Sequence, residues 1–257
     1  MQVTSSDGVR IAFETMGSGP PLVLLHGFFG DRTTWRSAGY VDALADSHRL
    51  VLIDARGHGG SEAPHDVDSY RIHRQVKDVT AVLDELNISR AAFWGASMGG
   101  IIGLNLLARH PERLTGLIVG GAHADRVAAA PGEVQREAEL FRVQGTAPFI
   151  DVLERQSSLP EWMRAAMLTA DPHALAALTV ALAGRDGVLS ELAQTTAPVL
   201  LLAGDRDPQL KVIQDTADQI SGATCVELPD CGHFETFLRI DLTLPVIRPF
   251  LARCAAG

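Results

Sequence analysis

At 257 residues the chain has room for one large α/β domain or two small ones, and 46% hydrophobic with 21% charged residues is ordinary globular usage that excludes a disordered chain. Its formal net charge of −9 excludes nucleic acid and anionic membrane as main partners, because an acidic surface attracts neither. The three cysteines, Cys225, Cys231 and Cys254, fit neither a disulfide framework nor a metal site, and no run approaches the roughly 18 apolar residues of a membrane span. With no basic-then-apolar leader at the start, a cytoplasmic protein is expected.

In chain order, residues 9–15 alternate as an edge strand beside solvent does, and 17–21, rich in glycine and proline, turn into the first central strand. Short runs rich in Val, Leu and Ile follow at 22–25, 50–54, 91–94, 114–119, 199–203 and 224–228. Runs of this length without alternation suit strands buried on both faces, the condition of a parallel sheet. Ile72, Val76, Val79, Leu83 and Leu86 step by one helical turn each and predict a helix of about four turns. This strand–helix alternation implies an α/β fold with a mostly parallel central sheet flanked by helices. From 125 to 195 no strand is legible, and helical patterning at 134–143, 149–153, 161–168 and 174–183 is punctuated by Pro131, Pro148, Pro160 and Pro172. A structureless loop of that length is uncommon in a compact domain. The expected division is therefore a core of 1–124 and 196–257 with a helical cap at 125–195; ordinary crossover helices are the plainer alternative.

Gly95-Ala96-Ser97-Met98-Gly99-Gly100 directly follows the run at 91–94 and opens a helix carrying Ile101, Ile102, Leu106 and Leu107. A serine on a sharp strand-to-helix turn has a strained backbone and an exposed hydroxyl, and needs small neighbours two residues to either side. Gly95 and Gly99 supply that room. A glycine-rich turn with an idle serine is the plain alternative; the strand before and the helix after favour a nucleophile. An aspartate in its place would suit dehalogenation or epoxide opening, so serine excludes those reactions.

An attacking alkoxide builds negative charge on a carbonyl oxygen, which two backbone N–H donors can hold. Met98 is one candidate donor, and Phe28, in the loop His26-Gly27-Phe28-Phe29-Gly30, is the other. His26 is expected to tie that loop down rather than act as the base. The base is expected at His233, in Cys231-Gly232-His233-Phe234-Glu235 after the last strand. Among the other histidines, His110 fits a helix cap before Pro111, and His58 fits a turn at 54–59 whose polar groups bond one another. His48, His65, His73 and His173 read as bystanders, while His123, directly after a strand, stays open. The acid that orients the base is expected at Asp207, with Pro208 opening the next helix. Asp205 fits a turn cap paired with Arg206, and Asp125 and Asp230 are lesser rivals. Phe28, Phe29, Trp162, Met163, Met167 and Phe234 either line an apolar cleft between cap and sheet or are plain core.

Taken together, His26-Gly27, the stretch 54–61, Gly95 to Gly100, Gly204 to Asp207 and Gly232-His233 resemble the α/β-hydrolase fold family in order and spacing, over about 9–251. Within it the chain is similar to enol-lactonases, small carboxylesterases and cofactor-free perhydrolases, the first through Ala170-Asp171-Pro172 and Ala183-Gly184-Arg185-Asp186. Carbon–carbon bond hydrolases of ring-fission products share the Gly-x-Ser-Met-Gly-Gly string. The resemblance implies a Ser97–His233–Asp207 triad, an acyl-enzyme, a small to medium ester or lactone as substrate, and no metal or organic cofactor. It leaves the oligomeric state open. A non-catalytic receptor of the same fold is the alternative from another class. One departure is Pro245 and Pro249, where the family has an unbroken final helix; a helix that starts at Pro245 and kinks, or a short one, is expected.

Overall fold

The computed structural model describes residues 1–126, 129–156 and 159–256. Its eight strands are β1 (Gln2–Thr4), β2 (Arg10–Met16), β3 (Pro21–Leu25), β4 (Arg49–Ile53), β5 (Ala91–Ala96), β6 (Leu114–Gly120), β7 (Val199–Gly204) and β8 (Ala223–Leu228). They form one sheet in the order β1-β2-β4-β3-β5-β6-β7-β8, in which the pairs β1–β2 and β2–β4 are antiparallel and every other neighbouring pair is parallel. All six residues of β5 and all six of β7 are buried, which is why their sequences show continuous apolar runs and no alternation.

The helices are α1 (Thr33–Ser37), α2 (Tyr40–Leu44), α3 (Ile72–Glu85), α4 (Met98–Arg109), α5 (Glu133–Gln144), α6 (Ala147–Gln156), α7 (Glu161–Thr169), α8 (Pro172–Ala183), α9 (Leu189–Leu192), α10 (Leu210–Gln219), α11 (Glu235–Leu238) and α12 (Ile240–Ala256). Helices α5 to α9 all lie between β6 and β7. Ala138 and Phe141 of α5 and Ala174 to Leu178 of α8 share one buried cluster with Leu25, Phe93 and Val119 of the sheet. The inserted helices thus extend the main core, and only Ile150, Met163 and Met167 of α6 and α7 form an apolar cluster of their own. Among the described residues no single helix is long and apolar enough to cross a bilayer.

Two expectations are corrected. Residues 9–15 are not an edge: β1 pairs outside β2, with Val3 opposite Ile11, and Ile11, Ala12 and Phe13 are all buried. The final helix does not begin at Pro245; it begins at Ile240 and contains both prolines. Pro245 and Pro249 leave the carbonyls of Asp241 and Pro245 without their helical donors. The helix persists because Ile247, Phe250, Leu251 and Cys254 are buried in one cluster with Trp94, Ile118 and Leu200, and packing of an apolar face outweighs local propensity.

The order of strands positions the site. After β3 the chain crosses to one side of that strand and, after β4, to the other, so β3 and β5 flank the point where winding reverses. In open parallel sheets the crevice beyond the carboxyl ends of such strands is where ligands bind. The loop after β3 and the turn after β5 meet there: a Cβ placed on Gly27 would lie 3.5 Å from the Ser97 Cβ.

Candidate active site

Ser97 has φ +50° and ψ −110°, a region that side chains rarely occupy. Its N–H donates to the Gly120 carbonyl at 2.6 Å, and its carbonyl accepts from the Ile101 N–H at 3.0 Å, which locks the turn between β5, β6 and α4. The flanking glycines are sterically required. A Cβ on Gly95 would sit 2.2 Å from the Gly99 carbonyl, and one on Gly99 would sit 2.2 Å from the Leu25 carbonyl oxygen.

Three side chains from separate loops stand in line. His233 Nε2 lies 2.9 Å from Ser97 Oγ, and His233 Nδ1 lies 2.9 Å from Asp207 Oδ2. A carboxylate only accepts, so Nδ1 carries the imidazole proton and Nε2 turns its lone pair toward the serine hydroxyl. The other Asp207 oxygen accepts the Gln209 N–H at 2.9 Å, which fixes the carboxylate in its plane. Burial pushes the Asp207 carboxyl up, but the hydrogen bond and charge of His233 and the Gln209 N–H outweigh it and hold it below the ordinary carboxylate range. Helix α10 begins at Leu210, two residues after the expected Pro208. Such a line can take a proton from the serine and return it to a leaving group.

The rivals lie elsewhere. Asp205 accepts the N–H groups of Asp230 and Cys231 at 3.0 Å each and so closes the ends of β7 and β8 together. Arg206 pairs with Asp230, not with Asp205 as expected. The Asp125 carboxylate accepts the N–H of Arg126. His110 closes α4 through its backbone N–H to the Leu106 carbonyl, while its ring faces Glu112. His123 is buried, and its Nδ1 has no partner among the described residues.

The loop after β3 is anchored at several points. His26 is 1% exposed; its Nε2 accepts the Ala55 N–H at 3.0 Å and its Nδ1 donates to the Gly27 carbonyl at 2.8 Å. His58 Nε2 lies 2.7 Å from the Phe28 carbonyl oxygen, and its Nδ1 lies 3.0 Å from the Arg56 carbonyl oxygen. Asp54, fully buried, accepts the N–H groups of Arg32 and Gly60 at 2.7 Å each and pairs with the Arg32 guanidinium. The loop thus carries Phe28 past Ser97 on a rigid frame, while Met98 opens α4, where the first N–H groups have no intrahelical partner.

That frame makes the fold acid-sensitive. Burial, and then the neighbouring His58, lower the His26 pKa to about 3. Because the folded value is depressed, the unfolded chain takes up a proton near pH 6.5 that the folded chain refuses until about pH 3. Stability is then present above 6.5 and falls by about 1.4 kcal/mol per pH unit through that window. His58 adds to the slope with the same sign, since burial lowers its pKa too. Urea midpoints measured from pH 7 to 4 should show this slope, and His26→Asn should flatten it.

An apolar cavity of about 270 Å³ opens beside Ser97 and His233. Its walls include Phe28, Phe29, Trp162, Met163, Phe234 and Phe237. Met167, expected on the same wall, is instead fully buried with Ile150 and Met163 behind it and does not line the cavity. Phe237, Thr34, Thr236 and Ala166 line it without having been foreseen. Phe237 stands one helical turn after Phe234, and that spacing was the available signal.

A hydroxyl, an imidazole and a carboxylate aligned at the carboxyl end of a mostly parallel sheet define the class: an α/β fold carrying the layout of a hydrolase. A family model for the alpha/beta hydrolase fold matches residues 20–153. 3-Oxoadipate enol-lactonase 2 of Acinetobacter baylyi is 31% identical over 221 residues, covering 80% of this chain and 79% of its own. A Bacillus subtilis protein provisionally named 2-succinyl-6-hydroxy-2,4-cyclohexadiene-1-carboxylate synthase is 28% identical over 91% of each chain. A thermophilic esterase from Thermogutta terrifontis superposes with a TM-score of 0.88 at 26% identity, covering 99% of this chain and 98% of its own. This chain belongs to the alpha/beta hydrolase fold family, and the activity supported at that level is hydrolysis.

Proposed function

We propose that the protein is a serine hydrolase that cleaves a small to medium carboxylic ester or lactone through an acyl-enzyme. The observation that carries this reading is the line Ser97 Oγ–His233–Asp207, with both contacts at 2.9 Å, at the wall of an apolar cavity. His233 takes the Ser97 proton as Oγ attacks the carbonyl carbon, and the N–H groups of Met98 and Phe28 hold the oxyanion. Each such donor is worth about 3 kcal/mol in the transition state. His233 then protonates the leaving oxygen, and water repeats the sequence to free the acid and restore Ser97. Asp207 keeps the imidazole in the reactive tautomer and balances its charge when protonated. The scheme needs no metal or organic cofactor.

The lactonase and esterase relatives support this reading of bond type, and of the inserted helices α7 serves as the cap over the cleft, through Trp162, Met163 and Ala166. A panel of p-nitrophenyl esters of rising chain length, several lactones and one dienolate ring-fission product tests it. Esters or lactones should turn over while the yellow dienolate absorbance persists. Loss of the dienolate colour with esters untouched would transfer the assignment to carbon–carbon hydrolysis. Tight retention of a ligand without turnover would make the protein a receptor.

A further inference from the structure

Ser97 also lines a second cavity, of about 360 Å³, on its other side. Its character differs from the first: Arg185, Thr179 and Gln209 contribute to the wall beside Ile101, Leu182 and Ala183. Arg185 is 6% exposed. Its guanidinium donates to two neutral carbonyls, Leu182 at 3.1 Å and Asp125 at 3.2 Å. A guanidinium has five N–H donors, so three have no partner among the described residues, where no carboxylate lies within ion-pairing distance of it either. Thr179 is 8% exposed, and its hydroxyl also lacks a partner among those residues. A buried cation with no carboxylate in contact is costly unless something anionic joins it. Burial accordingly pushes the Arg185 pKa down, offset only in part by the charge of Asp125.

Glu133 and Glu137 of α5 also border this cavity; both are solvent-exposed overall, and burial of its carboxyl, followed by the charge of Glu133, raises the Glu137 pKa and so disfavours its charged form there. Water screens exposed charges, whereas the buried guanidinium acts at lower effective dielectric, so the cation dominates the interior. The direction of the substrate follows from His233, which lines the apolar cavity and is absent from the wall of the polar one. Since His233 must protonate the leaving oxygen, the alcohol part lies in the apolar cavity and the acyl chain in the polar one.

We propose that the acyl chain of the substrate ends in a second carboxylate, held by Arg185 and Thr179, while an apolar alcohol occupies the aromatic cavity. The substrate class is the monoester of a short dicarboxylic acid; this rests on the ester-hydrolase reading above. Hydrolysis breaks the acyl C–O bond, the hydroxyl of water ends on the acyl carbon, and its proton ends on the alcohol. Arg185 is a specificity-determining residue.

The test compares monophenyl glutarate with its neutral methyl diester, by calorimetry on the Ser97→Ala protein and by hydrolysis with the unaltered protein. The monoacid should bind at least roughly tenfold more tightly, the range of a charge-assisted hydrogen-bonded pair. Arg185→Met should bring the two esters to parity. Ala183→Asp, which leaves both carbonyl contacts of Arg185 in place, should reverse the preference and serves if Arg185→Met does not fold. Equal binding of the two esters by the Ser97→Ala protein, or a preference that survives Arg185→Met, overturns the proposal. Ser97-dependent hydrolysis of both esters without discrimination would remove the carboxylate subsite and leave the hydrolase reading standing. Arg185-dependent binding of the monoacid with no hydrolysis would do the reverse.

Discussion

Replacing Ser97 by alanine should lower kcat on a p-nitrophenyl ester by about five to six orders of magnitude, with KM little changed. The loss corresponds to about 7–8 kcal/mol of transition-state stabilisation, because the covalent path disappears while the oxyanion donors and the cavity remain. The same position offers a second, independent reading of the turn. Ser97 holds φ +50° and ψ −110°, and an alanine keeps the Cβ that makes this conformation costly. Glycine does not. Strain of this kind costs roughly 1–3 kcal/mol, against a glycine entropy penalty of roughly 0.5–1 kcal/mol. Ser97→Gly should therefore be as inactive as Ser97→Ala but unfold at a higher urea midpoint, by the equivalent of about 1 kcal/mol. Turnover within a hundredfold of the unaltered enzyme would refute Ser97 as nucleophile, and a Ser97→Gly midpoint below that of Ser97→Ala by the full glycine penalty would mean that the turn stores no strain.

The parts of the molecule legible in its sequence are those where one local rule dominates. β3 to β7 were readable because strands covered on both faces must be apolar throughout, and α3 because its buried residues recur once per turn. β8 is a strand as expected, but at the sheet edge with only Leu228 buried, so burial on both faces does not hold there. β1 was not, since three residues with one half-buried side chain carry no periodic signal; only its pairing with β2 makes it a strand. Helix α12 was misread for the opposite reason. A valid local rule about proline was overridden by packing against Trp94 and Ile118, partners far away in the sequence. Met163 and Met167 lie one turn apart on the same face of α7, and composition cannot say which meets the cavity and which the core behind it. The polar cavity was beyond reach altogether. Its wall comes from α4, α5, α8, the segment after α8 and the loops after β6 and β7, and its defining feature, a buried arginine that meets no carboxylate among the described residues, exists only once those elements pack.

Asp207→Asn should lower kcat by about four orders of magnitude, as loss of the triad carboxylate does in serine proteases, while the fold persists. The asparagine carbonyl can still accept the Gln209 N–H that Asp207 now accepts at 2.9 Å, so the loop keeps its anchor. What disappears is the charge that balances a protonated His233 and the strict acceptor that keeps the imidazole proton on Nδ1. An amide can rotate to donate to Nδ1, which moves that proton to Nε2 and leaves nothing to receive the serine proton. Stability supplies a second readout. The folded Asp207 pKa lies below its ordinary value of 3.8, so its carboxylate stabilises the fold above pH 3.8 and that contribution is lost as pH falls through the folded value. The gap in urea midpoint between the unaltered protein and Asp207→Asn should therefore be constant near neutral pH and close below pH 3.8. Asp205, two residues away, separates positioning of the base from support of the loop. Among the described residues its carboxylate accepts the N–H groups of Asp230 and Cys231 and does not reach His233, so Asp205→Asn should loosen the junction of β7 and β8 yet keep kcat within about tenfold. A larger loss at Asp205 than at Asp207 would mean that the carboxylate serving His233 has been misassigned.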